Sequence, residues 1–238
     1  MYSFDSPSPR YRQLLDYYRV MHSDGVWRRK DGDVVKFTPL ETFSGRGVFK
    51  HAKTIRKLSR ATEAETLLDF GSGKGRQYTD EVFQNGQLVA DNLCDYWQLK
   101  QVTCYDPALN DQDQALSKTY DGVIATNVLD LIPEEDLYWV TESLFQAADK
   151  FVFCNVLDYS SQTYLPSGEN ARVTRRSSIW WRGMFAAANA KKPHVKYCIA
   201  YGSQGRDRDG KVIRKTGYLH NCQDLRLSSE AQLSPAQD

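Results

Sequence analysis

The stretch Leu67-Leu68-Asp69-Phe70-Gly71-Ser72-Gly73-Lys74-Gly75 constrains this chain more than any other. An apolar run that closes on an acid and then meets glycine at every second position reads as a buried strand forced to turn at once. Glycine lets the backbone turn sharply and approach a ligand where Cβ atoms would collide. In open α/β sheets such a turn lies beyond the carboxyl end of its strand, which is where ligands bind. The dinucleotide fingerprint G-x-G-x-x-G requires glycine at position 76, and Arg76 stands there. A Walker A loop requires G-x-x-x-x-G-K-[ST], which no segment supplies. The loop is therefore not of the nucleotide-phosphate type.

Further strands follow from the apolar runs Val102-Thr103-Cys104-Tyr105, Gly122-Val123-Ile124-Ala125-Thr126 and Phe151-Val152-Phe153-Cys154-Asn155-Val156. Between the last two, Pro133 with Glu134, Glu135 and Asp136 opens a helix whose apolar stripe is Leu137, Val140, Leu144, Phe145 and Ala148. Ile179, Trp180, Met184 and Ala187 mark another helix. An alternating run at 195–201, a Gly/Asp turn and a second run from Val212 make a closing hairpin suited to a sheet edge. Upstream, residues 10–22 and 48–60 carry helical spacing, and Gly25 closes the first helix. The pattern predicts an α/β fold: a mostly parallel sheet flanked by helices and ending in an antiparallel hairpin. Residues 1–62 are expected to form a helical cap or lid, 63–222 the main domain, and 223–238 a flexible polar tail.

Charge is unevenly spread. Residues 1–62 carry 13 Lys and Arg against 6 Asp and Glu, 63–170 carry 5 against 19, and 171–238 carry 13 against 5. Two basic flanks thus enclose an acidic middle, either meeting an anionic partner or pairing within the fold. No stretch approaches the roughly 20 apolar residues of a membrane helix, and the first ten residues lack an apolar signal region. Five cysteines without a C-x-x-C pair favour buried thiols in a reducing cytoplasm. None of the four histidines stands at metal-ligand spacing from another, so no metal site is expected.

Three segments in order carry a resemblance: Asp69 to Gly75, the Tyr105-Asp106-Pro107 strand end, and Tyr120-Asp121-Gly122-Val123-Ile124-Ala125-Thr126-Asn127-Val128-Leu129-Asp130-Leu131-Ile132-Pro133. Together they resemble the class I S-adenosylmethionine-dependent methyltransferases over residues 64–220. The resemblance implies a Rossmann-like sheet and S-adenosylmethionine as cofactor. It implies that Asp69, Gly71, Ser72, Gly73 and Gly75 shape the aminoacyl side, that Asp106 holds the ribose hydroxyls, and that Asn127 faces the cofactor or the acceptor. The chemistry of the residues agrees. Asp69 is suited to accept a hydrogen bond from the methionine ammonium or to fix the loop through backbone N–H groups. Asp106 offers two acceptors to two vicinal hydroxyls. Plainer roles stand beside these: Asp106 before Pro107 can start a turn, and Asn127 can cap a helix.

Three departures from the family pattern stand out. The long interval from Asp69 to Asp106 predicts an inserted turn or helix over residues 84–98. The short interval from Asp106 to Asp121 leaves no room for the family's third strand, which is expected to be reduced or missing, with Asp111 or Asp113 as substitutes for its acid. Leu131 stands where the family pattern has a histidine, so that base is absent. Asp130 and Tyr159 remain as catalytic candidates, each with a plainer role as a helix-start acid or a packed surface ring.

The expected activity is methyl transfer to a small acceptor, anionic or glycan-like, selected by residues 10–60 and 157–180. Arg172, Arg175, Arg176, Trp180 and Trp181 supply candidate contacts there. A nucleic-acid methyltransferase using the basic flanks and a non-catalytic S-adenosylmethionine-binding protein are the two other readings. Against nucleic acid stand the near-neutral overall charge and the lack of an N-P-P-Y or D-P-P-Y segment.

Overall fold

The computed structural model describes residues 2–109, 115–222 and 234–235. Strands β3 (Thr66–Phe70), β6 (Gln101–Tyr105), β7 (Tyr120–Thr126), β8 (Ala148–Leu157), β10 (Lys196–Arg206) and β11 (Val212–His220) form one six-stranded sheet. Its order is β11-β10-β8-β7-β3-β6, parallel throughout except for β11, which closes antiparallel on β10. Helices α2 (Ala52–Ala61) and α3 (Leu93–Trp97) cover one face, and α4 (Glu134–Ala147) and α5 (Ser178–Asn189) the other. The expected α/β class, mostly parallel sheet and closing hairpin are all present, an arrangement consistent with a Rossmann-like fold.

The central strands are apolar on both faces because each face is covered. Leu67, Ile124, Phe151 and Phe153 pack toward Ile55, Leu58 and Trp97. Their neighbours Leu68, Val123 and Val152 point the other way, toward Leu144, Phe145 and Phe185. Gly122 has no side chain for a packing reason: a Cβ there would lie 2.4 Å from the Phe151 ring.

Residues 84–98 take the form expected of an insertion. Strands β4 (Val82–Gln84) and β5 (Gln87–Ala90) form a hairpin, and the short helix α3 follows. Among the described residues nothing pairs outside β6, so β6 is the sheet edge and the family's third strand has no counterpart there. Asp111 and Asp113 lie outside the described residues, as does most of the expected tail. Of that tail only Ser234–Pro235 is described, paired antiparallel with β4.

The N-terminal segment is not helical throughout. After α1 (Pro9–Asp24) come β1 (Val26–Lys30) and β2 (Asp33–Phe37), a hairpin that joins β9 (Thr163–Tyr164) in a second, three-stranded sheet. The run Val34-Val35-Lys36-Phe37 is short, largely exposed and does not alternate, so it carries little period-2 signal. Gly25 ends α1 at φ 84°, and a Cβ on it would lie 2.0 Å from the Phe37 carbonyl oxygen. The segment is bound to the main domain by buried polar contacts. Asp136 accepts from the Ser8 N–H at 3.0 Å and the Trp139 indole at 2.8 Å, and the Tyr18 hydroxyl donates to the Leu131 carbonyl at 2.6 Å.

Phe185 is fully buried between the rings of Phe145 and Tyr197. Phe185→Ala is expected to cost about 3–5 kcal/mol of unfolding free energy in urea titrations. A cost below about 1 kcal/mol would contradict this packing.

Candidate functional site

The register of the parallel strands assembles the site. Phe70 pairs with Tyr105, and Asp69 with both Cys104 and Ile124, so the segments after β3, β6 and β7 emerge side by side. From β3 the chain runs outward to β6 and then crosses back to β7, so the topological switch point lies between β3 and β7. Ligands in such sheets bind outside the carboxyl ends at this point.

Three glycines let the loop fold there. Gly71, Gly73 and Gly75 have φ of 73°, 59° and 69°. A Cβ on Gly71 would lie 2.3 Å from Val128 Cγ2, and one on Gly73 would lie 2.2 Å from the Phe43 carbonyl oxygen. The loop is bound to the end of β6: the N–H groups of Gly71 and Ser72 donate to the Tyr105 carbonyl at 2.7 and 3.2 Å. The Gly73 N–H donates to Asp106 Oδ2 at 2.9 Å, and Ala108 N–H donates to Asp106 Oδ1 at 2.9 Å.

A cleft of about 530 Å³ runs over these segments and along the carboxyl edge of the sheet. Gly71, Ser72, Gly73, Asp106 and Asn127 all line it, as do both Asp130 and Tyr159. Asp69 and Gly75 do not. Asp69 is fully buried behind the loop, where its Oδ2 accepts from Gln77 Nε2 and the Tyr78 hydroxyl, each at 2.9 Å. Gln77 also donates to the Ser72 carbonyl at 3.2 Å. Asp69 thus fixes the loop through two side chains, not through backbone N–H groups and not from the cleft surface. The N–H groups of Gly71 and Ser72 are likewise spent on Tyr105, so those residues offer the cleft a close backbone and not free donors.

Asn127 is exposed at φ 58°, with its N–H donating to Asn155 Oδ1 at 2.8 Å and its Oδ1 accepting from Asn155 Nδ2 at 3.0 Å. Its own amide nitrogen is left toward Gly47, where a Cβ would lie 2.6 Å away. Asp130 has side-chain exposure of only 1%. Its Oδ2 accepts from Arg172 Nε at 2.6 Å and the Leu157 N–H at 3.1 Å. Burial raises its pKa and the Arg172 charge opposes that rise. This carboxylate holds Arg172, which also donates to the Tyr159 carbonyl and lies 5.4 Å from that residue's ring centroid.

The other residues expected to meet an acceptor are engaged in the fold. Arg175 donates to Ser160, Arg176 pairs with Glu134, Trp181 is fully buried in the core, and Trp180 stacks edge-on against it. Among the described residues no cluster of three or more His, Cys, Asp or Glu has the geometry to hold a metal ion. No helix among them is long and apolar enough to cross a membrane.

Several residues of the site escape the sequence reading. His22, buried on α1, places Nε2 3.8 Å from Asp106 Oδ2 and its ring 4.7 Å from that of Phe43. Burial lowers its pKa, Asp106 opposes this and Lys74 adds to it, so the neutral imidazole is favoured at pH 7. The helical face Tyr11, Leu14, Tyr18 and His22 is a signal that runs to this residue. Lys74, inside the Gly-rich loop, points away from the cleft and donates to the carbonyls of Pro39 at 2.6 Å and Thr42 at 3.0 Å. It clasps the N-terminal segment onto the loop. Arg28, from β1, also reaches the cleft.

No protein-family model and no curated protein sequence matches this chain.

Burial raises the Asp69 carboxyl to about 7, against about 3.9 unfolded. The native state therefore binds more protons than the unfolded chain between those values. This contribution to stability is full below about pH 4 and lost as pH rises toward 7. Urea unfolding is expected to show wild type losing stability relative to Asp69→Asn from pH 4 to pH 7; parallel profiles would contradict it. Asp130→Ala leaves the Arg172 guanidinium buried without its counter-charge and is expected to cost about 3–5 kcal/mol. The double variant Asp130→Ala/Arg172→Met should recover part of that loss, and additive losses would contradict a paired role.

Proposed function

We propose that the protein is an S-adenosylmethionine-dependent methyltransferase acting on a small acceptor. The observation that carries this reading is the junction of the Gly71–Gly73 backbone with Asp106 across the ends of β3 and β6, beside the switch point between β3 and β7, opening into a cleft that Asn127 also lines. Fold alone would not carry it, since Rossmann-like sheets serve many chemistries.

The residues fit the cofactor. Each Asp106 oxygen accepts one backbone N–H, and a carboxylate oxygen has a further lone pair, so both remain able to accept from a ribose hydroxyl. Pro107 and Ala108 add an apolar wall beside it, and the glycine backbone leaves room where a side chain would stand. The chemistry supplied at such a site is an electrophilic methyl group on a sulfonium, displaced in line by a nucleophilic atom of the acceptor. The chain's own task is then to orient two molecules and exclude water, worth roughly 7–11 kcal/mol in favourable cases. The N-terminal segment provides the cover, with Tyr18, His22 and Phe43 over the Asp106 end. Asp130 acts as the positioning carboxylate for Arg172 and Tyr159. Of the two catalytic candidates, Tyr159 is the one left to contact the acceptor, through its hydroxyl as a hydrogen-bonding group.

Calorimetric titration with S-adenosylhomocysteine tests the reading. One-to-one binding is expected, weakened about tenfold or more in Asp106→Ala through loss of charged hydrogen bonds worth roughly 1.5–3 kcal/mol. A folded wild-type protein that fails to bind, or that binds NAD in its place, would overturn it.

A further inference from the structure

The two ends of the cleft differ in charge. The end beyond β3 and β6 carries Asp106, whereas the end beyond β8 is lined by Tyr159, Arg172 and Arg214, the last of these from the far edge strand β11. Arg28 joins this second end, because β1 pairs with β9 and sets Arg28 opposite Thr163, another cleft residue. Along β1, Val26 is buried while Trp27 and Arg29 are exposed, so alternation turns Arg28 inward with Val26.

Arg28 is built into the wall but unanswered. Its guanidinium lies 4.9 Å from the Phe37 ring centroid, and its Nε is buried without a hydrogen-bond partner. Glu41, the carboxylate whose field it feels, is turned to its own turn: Oε2 accepts from the Thr38 N–H at 2.8 Å and the Thr38 hydroxyl at 2.7 Å. Arg172 differs, since Asp130 already neutralises it. Arg214 lies over the Tyr159 ring at 4.7 Å and donates through Nε to Gln204 at 3.1 Å. Lys50, exposed, is a further basic residue of the cleft lining. A guanidinium keeps its charge and presents its donors in a fixed fork that matches an oxyanion in two places.

We propose that the Arg28 end of the cleft holds the anionic group of the acceptor, a carboxylate or a phosphate, gripped by the Arg28 fork and flanked by Arg214 and Lys50. This rests on the methyltransferase reading above, because it is that reading which assigns the Asp106 end to the cofactor. The same charge pattern keeps the acceptor's anion away from the Asp106 carboxylate and so fixes which way round the acceptor enters.

The test titrates inorganic phosphate and, separately, acetate at constant ionic strength, with chloride as the balancing salt, and follows the thermal midpoint. Each is added to the protein alone and to the protein saturated with S-adenosylhomocysteine. A saturable rise with at least one anion is expected in both states, and the stronger of the two identifies the kind of group. Arg28→Met should weaken it at least tenfold, and Arg28→Lys, which keeps the charge without the fork, should also weaken it and serves where the Met variant unfolds. Arg29→Met, on the outer face of β1, should leave it unchanged.

No saturable response in wild type, or an equal response in the Arg28 variants, overturns the proposal. So does a response that S-adenosylhomocysteine abolishes, or a tenfold loss of S-adenosylhomocysteine affinity in Arg28→Met, since Arg28 would then hold the cofactor's own carboxylate. Anion binding through Arg28 in a protein that does not bind S-adenosylhomocysteine supports the anion site and overturns the methyltransferase reading.

Discussion

The hydrogen bond from the Gly73 N–H to Asp106 ties the ends of two adjacent parallel strands into one rigid corner. Much of the site depends on it. The Phe70–Tyr105 register brings the corner's two halves together, and the left-handed backbone at Gly71 and Gly73 lets them touch. With the Gly71 and Ser72 N–H groups also on the Tyr105 carbonyl, the corner uses three loop donors to hold itself. What it offers a ligand is therefore a carboxylate with lone pairs to spare and a stretch of backbone without side chains. Behind it, Asp69, Gln77 and Tyr78 form a buried polar support. Burial makes that support favourable to the protonated carboxyl up to about pH 7.

The N-terminal segment is the second half of the site, and one side chain of the loop attaches it. Lys74 extends out of the Gly-rich turn to the carbonyls of Pro39 and Thr42, and Gly73 packs against the Phe43 carbonyl. The cover over the cleft and the corner beneath it are thus a single hydrogen-bonded unit. This arrangement also delivers His22 to Asp106 and, through the β1–β9 pairing, Arg28 to the opposite end.

Elements with a strong period or a glycine requirement were legible in the sequence. The strands β3, β7 and β8 are near-continuous apolar runs because both faces are covered, and α4 carries an acidic first turn and a clear stripe. That no strand lies beyond β6 among the described residues followed from chain length alone, since the interval from Asp106 to Asp121 cannot hold a helix and a strand. The β1–β2 hairpin was not legible, because its residues are mostly exposed and its Val, Arg and Lys do not alternate cleanly. At the site, Gly71, Gly73, Asp106 and Asn127 were visible as strand-end residues. The partners of each charge were not, as they come from distant segments: Arg172 for Asp130 and Glu134 for Arg176. Sequence proximity placed Arg172, Arg175 and Arg176 together as acceptor contacts. Tertiary pairing instead commits all three to the fold and leaves Arg28, from a segment more than a hundred residues away, facing the cleft.

The most direct test of a cofactor site at the Gly73–Asp106 corner is a crystal structure of the protein grown with saturating S-adenosylhomocysteine. The account predicts the ribose hydroxyls on Asp106, the backbone of Gly71 to Gly73 against the ligand, and its amino-acid end toward Asn127. Ligand density elsewhere on the molecule, or an Asp106 corner left without ligand under those conditions, would contradict it.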